Sequence, residues 1–401
     1  MDIALKPVQG HVAAGFEPVE RAFADILRAN PRMGAACAIH HRGQRVVDLW
    51  GGVRDALRGT RWDDDTLVLV YSLTKGMTAL ACAVAVSQRL FDYDEPIADV
   101  WPEFAGGGKE AMTVGAILSE QAGVAAIDLK LTAANMADQD AIAAAIAAQP
   151  PNWPPGDWAG NHSYTLGWLG GELIRRRDPA GRSLGRFFAE EIADPLGVDF
   201  FIGLPDTIDR DRLARIKGFN LLDLIFRRTD MPWSVVLALM WPPSLAFRAL
   251  NNPLLLSGPG ALDSERFRGI ELGAVGGISN ARAIAAIYDE FGSGGKRLGI
   301  RPAVIARLNG AYPPPRRGSI DRIFGIDLAY SLGLEKPDAG WRFAPSSSAF
   351  GTFAVGGSFA FADPGDEVAY AWVTNQLGTH KRDDPRELAV RTAFYHCIGK
   401  G

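Results

Sequence analysis

The sequence predicts an α/β (α+β) fold in which an antiparallel sheet flanked by helices adjoins a mostly helical lobe. Strand-like runs occur towards both ends of the 401-residue chain, and helical patterns fill its middle. The chain is 47% hydrophobic, which suffices for a large core. Because an apolar sheet face has to be covered, strands from both chain ends should pair in one sheet, with the terminal helices packed on it.

The N-terminal elements are predicted from hydrophobic periodicity and turn residues. A helix over 16–29 places its apolar side chains on one stripe. Runs of small and β-branched residues at 34–40 and 44–50 predict two strands, and His41-Arg42-Gly43 predicts the turn between them. An alanine-rich apolar stretch then predicts a helix over 72–89.

Helices continue through the middle of the chain, and strands return near its C-terminal end. The further helices are predicted at 113–119, 140–148, 163–177, 281–291 and 385–395, and the further strands at 325–334, 348–363 and 367–376. We expect residues 1–100 and 275–401 to form an α/β sheet lobe. Residues 101–274 should form a mostly helical lobe with an apolar insertion near 219–256. A cleft between two lobes is a common place for a ligand site.

Charge and composition exclude several function classes. The net charge is −4 without a basic block, which argues against a nucleic-acid partner. The longest apolar stretch, 233–250, is interrupted by two prolines and an arginine, so no stable membrane span is predicted. The number of cysteines is odd, and the three, Cys37, Cys82 and Cys397, are widely spaced. Residues 1–15 do not resemble a signal peptide. These features predict reduced thiols and a cytoplasmic protein.

The strongest chemical motif is Ser72-x-x-Lys75 at the start of a predicted helix. Positions i and i+3 share a helix face, so the lysine amine can reach the serine hydroxyl. Serine needs a neighbouring base, and lysine can serve if burial or nearby positive charge lowers its pKa. The same spacing also arises by chance as a helix cap followed by a solvated lysine. The apolar residues 68–71 and the apolar helix that follows favour a buried lysine.

The order of motifs resembles that of class C β-lactamases, DD-peptidases and family VIII carboxylesterases, and it is most similar to the esterase-like branch. The segments that carry the resemblance are Val47–Gly52, Ser72–Lys75, Leu90–Ile97, Thr113–Gly123, Trp153–Leu169, Gly276–Arg282 and Gly356–Ser358 followed by Phe361–Pro364. The resemblance implies a β-lactamase/transpeptidase-like fold with an acylated serine, an assisting lysine and a second-motif tyrosine as proton carrier. It implies no metal and no organic cofactor.

The sequence departs from that family at three places. Asn161 stands where the second-motif tyrosine is expected, and asparagine cannot act as a general base. The third motif has 352–354 as Thr-Phe-Ala where the family usually has Lys, His or Trp and then Gly. Glu120 replaces the usual histidine ahead of Gln121.

Three hypotheses follow from the missing tyrosine. In the first hypothesis Lys75 is the sole base, and Asn161 only positions substrate or water. In the second, His162 or Tyr164 replaces the tyrosine as proton carrier. In the third hypothesis the protein is a weak or inactive relative, since loss of a general base costs about 10²–10⁴-fold in rate. His162 could instead only orient its loop, and Tyr164 could be a core aromatic residue.

The remaining site predictions concern the oxyanion and the substrate. The resemblance implies that the Ser72 N–H and a third-motif N–H, here Val355 beside Gly356 and Gly357, bind the oxyanion. The changed side chains at 352–354 argue against efficient β-lactam turnover. The apolar insertion forms lobe core, an acyl pocket or a dimer face; its bulky residues are Trp233, Met240, Trp241, Phe247 and 254–256.

The predicted function is therefore hydrolysis or transfer of an acyl group from small hydrophobic esters, by a carboxylesterase or acyltransferase. Two alternatives stay open at this stage. One is a peptidase or amidase of the DD-peptidase or D-aminopeptidase type, which needs an acid to protonate the leaving amine. The other is a catalytically weakened binding protein on the same fold.

Overall fold

The computed structural model describes residues 8–219, 232–254 and 258–400. The strands are β1 (Val8–Val12), β2 (Gly34–His41), β3 (Gln44–Asp55), β4 (Thr60–Arg61), β5 (Val68–Leu69), β6 (Phe200–Ile202), β7 (Gly277–Ser279), β8 (Ala329–Ser331), β9 (Leu334–Lys336), β10 (Phe350–Phe353), β11 (Phe359–Asp363) and β12 (Val368–Thr374). Within these ranges the main sheet has the order β1-β3-β2-β12-β11-β10-β9-β8, with β4 paired to β3. All of its strand pairs are antiparallel.

Helices surround this sheet and make up most of the middle of the chain. They are α1 (Glu17–Ala29), α2 (Leu73–Ser87), α3 (Ile97–Val100), α4 (Val114–Leu118), α5 (Ala133–Met136), α6 (Gln139–Ala148), α7 (Thr165–Arg177), α8 (Leu184–Phe188), α9 (Asp194–Leu196), α10 (Trp233–Ala238), α11 (Leu245–Leu250), α12 (Glu265–Arg268), α13 (Ala281–Gly292), α14 (Pro302–Asn309) and α15 (Pro385–Cys397). No helix in the described ranges is both long enough and apolar enough to cross a bilayer.

The two faces of the central strands carry side chains of different size. Strands β2 and β12 pair from Ala35↔Thr374 to His41↔Val368, so alternate residues point to opposite faces. Alanines such as Ala38 and Ala371 join the core that contains α13, while Trp372 packs edge-on against Phe23 of α1 at 5.5 Å between ring centroids. Small residues therefore let α13 approach closely, and large ones fill the space beneath α1 and α15.

Helix α2 lies inside the protein, and every residue from Leu73 to Val86 is buried. Two glycines permit this close packing. A Cβ at Gly76 would lie 2.6 Å from the Thr352 hydroxyl oxygen, and one at Gly170 of α7 would lie 2.6 Å from the Thr78 methyl carbon. The start of α2 is therefore fixed between the sheet and the helical region.

A second, small sheet of order β5-β7-β6 holds the chain just before α2. Val68 pairs with Ser279 and Leu69 with Ile278. The Val70 N–H extends this pairing by donating to the Gly277 carbonyl at 2.9 Å. This sheet thus anchors the residues that lead into the serine motif.

The predicted antiparallel sheet with flanking helices is confirmed. The runs at 325–334 and 348–363, each predicted as one strand, are each interrupted by a turn. The first turn contains Leu332 and Gly333, which both have positive φ, and the second contains Gly356 and Gly357. Strand β1, the small sheet and α14 were not predicted. The lobe boundaries at residues 100 and 275 stay a prediction.

The lobe-core reading of the apolar insertion is wrong for four of its bulky residues, which are exposed, whereas the smaller residues Val235, Val236, Ala246 and Ala249 are buried. Trp233 and Trp241 are 61% and 64% exposed, and Met240 and Leu254 are exposed too. Phe247 of α11 lines a cavity. Residues 220–231 and 255–257 of the predicted insertion lie outside the described residues.

Candidate active site

Ser72 lies directly before α2, at the inner end of a cavity of about 360 Å³. The preceding residue, Tyr71, has φ 47°, a left-handed conformation that is uncommon for a bulky side chain. The Tyr71 hydroxyl donates to the Pro259 carbonyl at 3.1 Å, and its backbone bridges to Gly276. The Ser72 side chain is partly exposed, and its hydroxyl has no hydrogen bond to any described residue. It is therefore available to a molecule in the cavity.

Lys75 lies one turn further along α2 and is buried beneath the cavity. Its Nζ donates to Glu120 Oε1 at 2.9 Å. Burial acts to lower the pKa of Lys75, but the Glu120 and Glu335 carboxylates outweigh it, so the pKa is raised. A lowered pKa, the condition under which Lys75 could act as a free amine, is therefore not met, and the carboxylates favour its ammonium form.

Two further buried carboxyl groups, Glu335 of β9 and Asp321, lie near this pair. Burial raises the pKa of Glu335 to about 7 and that of Asp321 to about 6, and the charge of Glu120 adds to both shifts. Asp321 accepts a hydrogen bond from the Tyr330 hydroxyl at 3.4 Å and two from backbone N–H groups. Glu120 Oε2 and Glu335 Oε2 have no hydrogen-bond partner among the described residues.

The second motif contributes Asn161 and Tyr164 to the cavity wall. The Asn161 side-chain oxygen accepts a hydrogen bond from the Ser163 hydroxyl at 2.6 Å. The Tyr164 ring stacks on Trp168 with 6.4 Å between centroids, and burial raises the pKa of its hydroxyl. Both of these predicted site residues therefore share the cavity with Ser72.

His162 points away from the cavity into the protein. Its Nε2 accepts from the Val124 N–H at 3.2 Å, and its Nδ1 lies 2.6 Å from the Gly160 carbonyl, which assigns the proton to Nδ1. The ring meets Trp153 edge-on at 5.9 Å. Burial lowers the pKa of His162 to about 4. His162, one of the two candidates to replace the proton carrier, is therefore neutral at neutral pH, and both its ring nitrogens are occupied by the backbone.

The third motif brings Val355 and Gly356, but not Gly357, to the cavity. The Val355 N–H and the Ser72 N–H donate to no group among the described residues, whereas the Gly357 N–H donates to the Ala354 carbonyl at 3.3 Å. Thr352, which departs from the family pattern, lies beneath the cavity and accepts from the Tyr288 hydroxyl at 3.3 Å. Two residues of the cavity wall thus have backbone N–H groups without a partner among the described residues.

Aromatic and aliphatic side chains form most of the cavity wall. They are Tyr71, Tyr164, Phe219, Leu239, Phe247, Leu250, Leu262, Val275, Phe324 and Val355. The segment after β12 adds Thr379, His380 and Lys381. The Lys381 ammonium lies over the rings of Phe324 and Phe353. Sequence analysis did not single out this segment, whose run of charged residues is typical of a solvated loop.

Comparison with known proteins decides the family. The beta-lactamase family model matches residues 19–393. The esterase/beta-lactamase LipL of Mycobacterium tuberculosis is 30% identical over 369 residues, which cover 90% of this chain and 81% of the relative. The chain belongs to the beta-lactamase family.

Two solved structures are 31–32% identical to this beta-lactamase-family chain. Each alignment covers 97% of this chain and 99% of the other chain, with a TM-score of 0.84. One is a family VIII carboxylesterase, and the other is a penicillin-binding protein homolog from Caulobacter crescentus. These similarities confirm the predicted resemblance, and the chain is a serine hydrolase of the esterase-like branch. The roles of the individual site residues stay predictions.

Proposed function

We propose that this protein is a carboxylesterase that cleaves small hydrophobic esters through an acyl-enzyme on Ser72. The observation that carries the proposal is the position of the Ser72 hydroxyl, which opens into an apolar cavity and lies one helical turn from the buried Lys75 ammonium. Similarity to a family VIII carboxylesterase and to an esterase/beta-lactamase supports the same reaction class.

The free N–H groups of Ser72 and Val355 would bind the oxyanion of the tetrahedral intermediate. Both belong to residues that line the cavity, and neither is used by the described backbone. Ser72 precedes a helix of 15 residues, so the helix dipole adds positive potential at the same place. Such preorganised donors contribute about 10²–10³-fold each to the rate of acyl transfer.

The size and lining of the cavity favour a short or medium acyl group over a charged substrate. A volume of about 360 Å³ lies at the lower end of the usual range for small-molecule sites. Phe247 and Leu250 of α11 and Leu239 supply the apolar wall on one side. Apart from Ser72 and the hydroxyls of Tyr71 and Tyr164, the polar lining side chains are those of Asn161, Ser163, Asn251 and the segment after β12.

Ester cleavage is favoured over peptide cleavage by the state of the second motif. An amide needs its leaving amine protonated, whereas an alkoxide leaving group is less demanding. His162 is turned into the protein and is neutral at neutral pH. The raised pKa of Tyr164 weakens it as a proton donor at neutral pH.

The three cysteines are free thiols, which supports the proposed cytoplasmic location.

Turnover of p-nitrophenyl butyrate and the mass of the intact protein after fluorophosphonate treatment test this function. We expect Ser72→Ala to lose hydrolysis by about 10³-fold or more and to lose the adduct. Ser183→Ala is a matched control, because Ser183 also precedes a helix but hydrogen-bonds to Glu271 instead of lining the cavity. Equal hydrolysis by the Ser72→Ala variant and the parent would contradict the proposal.

A further inference from the structure

The missing tyrosine leaves the Ser72–Lys75 pair without the family's proton carrier, and the structure places a carboxylate where one is needed. We propose that Glu120 is the proton acceptor of acylation and works through Lys75. The inference rests on the proposed esterase function, since it concerns the same serine. Glu120 does not touch the substrate cavity, so its part is to position and discharge Lys75.

The Lys75 and Glu120 side chains contact each other directly and are buried from solvent. Lys75 Nζ and Glu120 Oε1 are 2.9 Å apart, and the side chains are 2% and 1% exposed. In a buried site the ionic form of such a pair loses the hydration that favours it in water. The direct contact gives a proton a path from the ammonium to the carboxylate.

The backbone holds Glu120 in this place against its ordinary preference. Its φ is 61°, which a residue other than glycine adopts at a cost of about 1 kcal/mol or more. The Glu120 N–H donates to the Ile117 carbonyl at 3.0 Å, and its own carbonyl accepts from the Gly160 N–H at 3.1 Å. The second hydrogen bond ties the residue to the second-motif loop, which carries Asn161.

The second carboxylate oxygen, Glu120 Oε2, is buried without a hydrogen-bond partner among the described residues. Buried polar atoms are nearly always satisfied, so an orphaned carboxylate oxygen beside a lysine is unusual in a purely structural ion pair. Protonation of Glu120 would lower the cost of burying an oxygen atom that has no hydrogen-bond partner, because it removes the negative charge. The arrangement therefore favours a group that gains and loses a proton during the reaction.

Several charged or titratable groups surround Glu120. Lys75 of α2 donates a hydrogen bond to Oε1, and the Tyr330 hydroxyl also interacts with the carboxylate. Glu335 of β9, Asp321 and Tyr330 of β8 approach from the sheet, and His162 from the second motif. His162 is neutral at neutral pH. Proton transfer in the cluster therefore runs between Lys75 and Glu120, with the other carboxyl groups adjusting the charge balance.

In acylation the Ser72 oxygen bonds to the ester carbonyl carbon, and the carbonyl π electrons move to the oxygen held by the two free N–H groups. The serine proton passes to Lys75 Nζ while a Lys75 proton passes to Glu120 Oε1, so lysine stays an ammonium ion. Collapse of the intermediate breaks the carbon–alkoxide bond; the alkoxide takes a proton from Lys75, and Glu120 returns its proton to Lys75. Alcohol leaves, and Ser72 remains acylated.

A purely electrostatic role for Glu120 predicts the opposite result in the decisive variant. If Glu120 only neutralises Lys75, its removal lowers the lysine pKa and supplies more free amine, so acylation should become as fast or faster. If Glu120 accepts the proton, Glu120→Gln leaves an ammonium ion, still held by Glu335, with no acceptor. Acylation should then become slower.

The experiment measures the rate of Ser72 acylation by p-nitrophenyl acetate in a stopped-flow burst, with Ser72 fluorophosphonate labelling followed by intact mass. We expect Glu120→Gln to acylate about 10²–10⁴-fold more slowly with little change in KM. Glu120→His, which offers a proton acceptor, should recover part of the rate and follow the imidazole ionisation near pH ~6.5. Glu387→Gln is the matched control, because it alters an equally buried carboxylate of another ion pair outside the cavity.

The outcomes separate this inference from the proposed function. Ser72-dependent acylation that is unchanged or faster in Glu120→Gln overturns the role of Glu120 and leaves the esterase intact. Absence of any Ser72 adduct in the parent protein overturns both. If Glu120→Gln does not fold, Glu120→His decides alone, and an acylation rate independent of pH between about 5 and about 8 overturns the proposal.

Discussion

Two buried ion pairs of this protein differ in how completely they are satisfied. Arg391 of α15 meets Glu387 through Nε at 2.8 Å and Nη2 at 3.3 Å, and its other donors reach the Phe343 carbonyl and Asp383. Lys75 and Glu120 are buried to a similar degree, yet Glu120 and the neighbouring Glu335 each keep an oxygen without a partner among the described residues.

From this difference we expect the arginine pair to stabilise the fold and the lysine pair to serve chemistry. A fully hydrogen-bonded guanidinium has one geometry and one protonation state, because arginine does not lose its proton. The lysine pair instead lies near two further carboxyl groups, Glu335 and Asp321, whose pKa values burial raises to about 7 and about 6. Unpaired carboxylate oxygens near a cavity therefore indicate a site where protons move. A fully hydrogen-bonded ion pair on the other face of the sheet indicates a structural role.

The sharpest test of this contrast removes the cation from each pair. Lys75→Met should slow acylation of Ser72 by about 10²–10⁴-fold, because the proton path from the hydroxyl is cut. Arg391→Met should leave acylation unchanged and lower the free energy of unfolding by about 3–5 kcal/mol, because Glu387 then lacks its partner. Burst kinetics and urea denaturation measure the two effects, and a large loss of acylation in Arg391→Met would break the contrast.

Glu335 offers a smaller test within the reactive cluster. Its raised pKa of about 7 means that the carboxyl group is neutral below that pH and charged above it. Ionisation adds a negative charge beside Lys75 and Glu120, which favours uptake of the serine proton, so acylation should quicken through this range. We expect Glu335→Gln to lose this rise, an effect of about three- to tenfold above pH ~7. An unaltered pH–rate profile in the variant would exclude Glu335 from the cluster's chemistry.

His162 should behave as a structural group, although it lies close to the reactive pair. Its folded pKa of about 4 is below the unfolded value of 6.5, so the unfolded chain binds more protons between these values. The stabilising contribution is present above pH ~6.5 and is lost as the pH falls towards about 4. From pH ~7.5 to pH ~5 this group should cost the native state about 2 kcal/mol, a slope that His162→Gln removes.

Urea denaturation of the parent and His162→Gln proteins at the two pH values gives this difference directly. Acylation of Ser72 measured at neutral pH serves as the control, and it should change by less than about threefold, since the ring is turned away from the cavity. A pH dependence of stability equal in both proteins would mean that the buried imidazole is not held neutral.

The sequence predicted the parts of the site that are local along the chain. Ser72 and Lys75 lie three residues apart, which predicts that they share a helix face. The Lys75 amine donates to Glu120, and among the described residues no hydrogen bond joins it to the Ser72 hydroxyl. The strands and helices with clear periodicity were predicted for the same reason. The residue before the serine is fixed by the two- and three-residue strands of the small sheet, which are too short to show a pattern.

The rest of the site depends on contacts between distant segments. Glu120 was recognised as a departure from the family, but its contact with Lys75 spans 45 residues and has no local signature. Glu335 and Asp321 come from segments that contain no motif. His162 follows Asn161 in sequence, yet its backbone partners Val124 and Gly160 turn the ring inwards, which no spacing rule indicates.

The central pairing of β2 with β12 has a consequence for biosynthesis. Gly34 and Asn375 are hydrogen-bonded at 2.8 Å although 341 residues separate them. During translation the second strand must wait, exposed, until residue 374 has left the ribosome, and closing so long a loop makes folding slow. Early termination anywhere before β12 removes the middle of the sheet rather than its edge. Such a truncated product therefore has no native-like core to retain and becomes a substrate for chaperones and proteases.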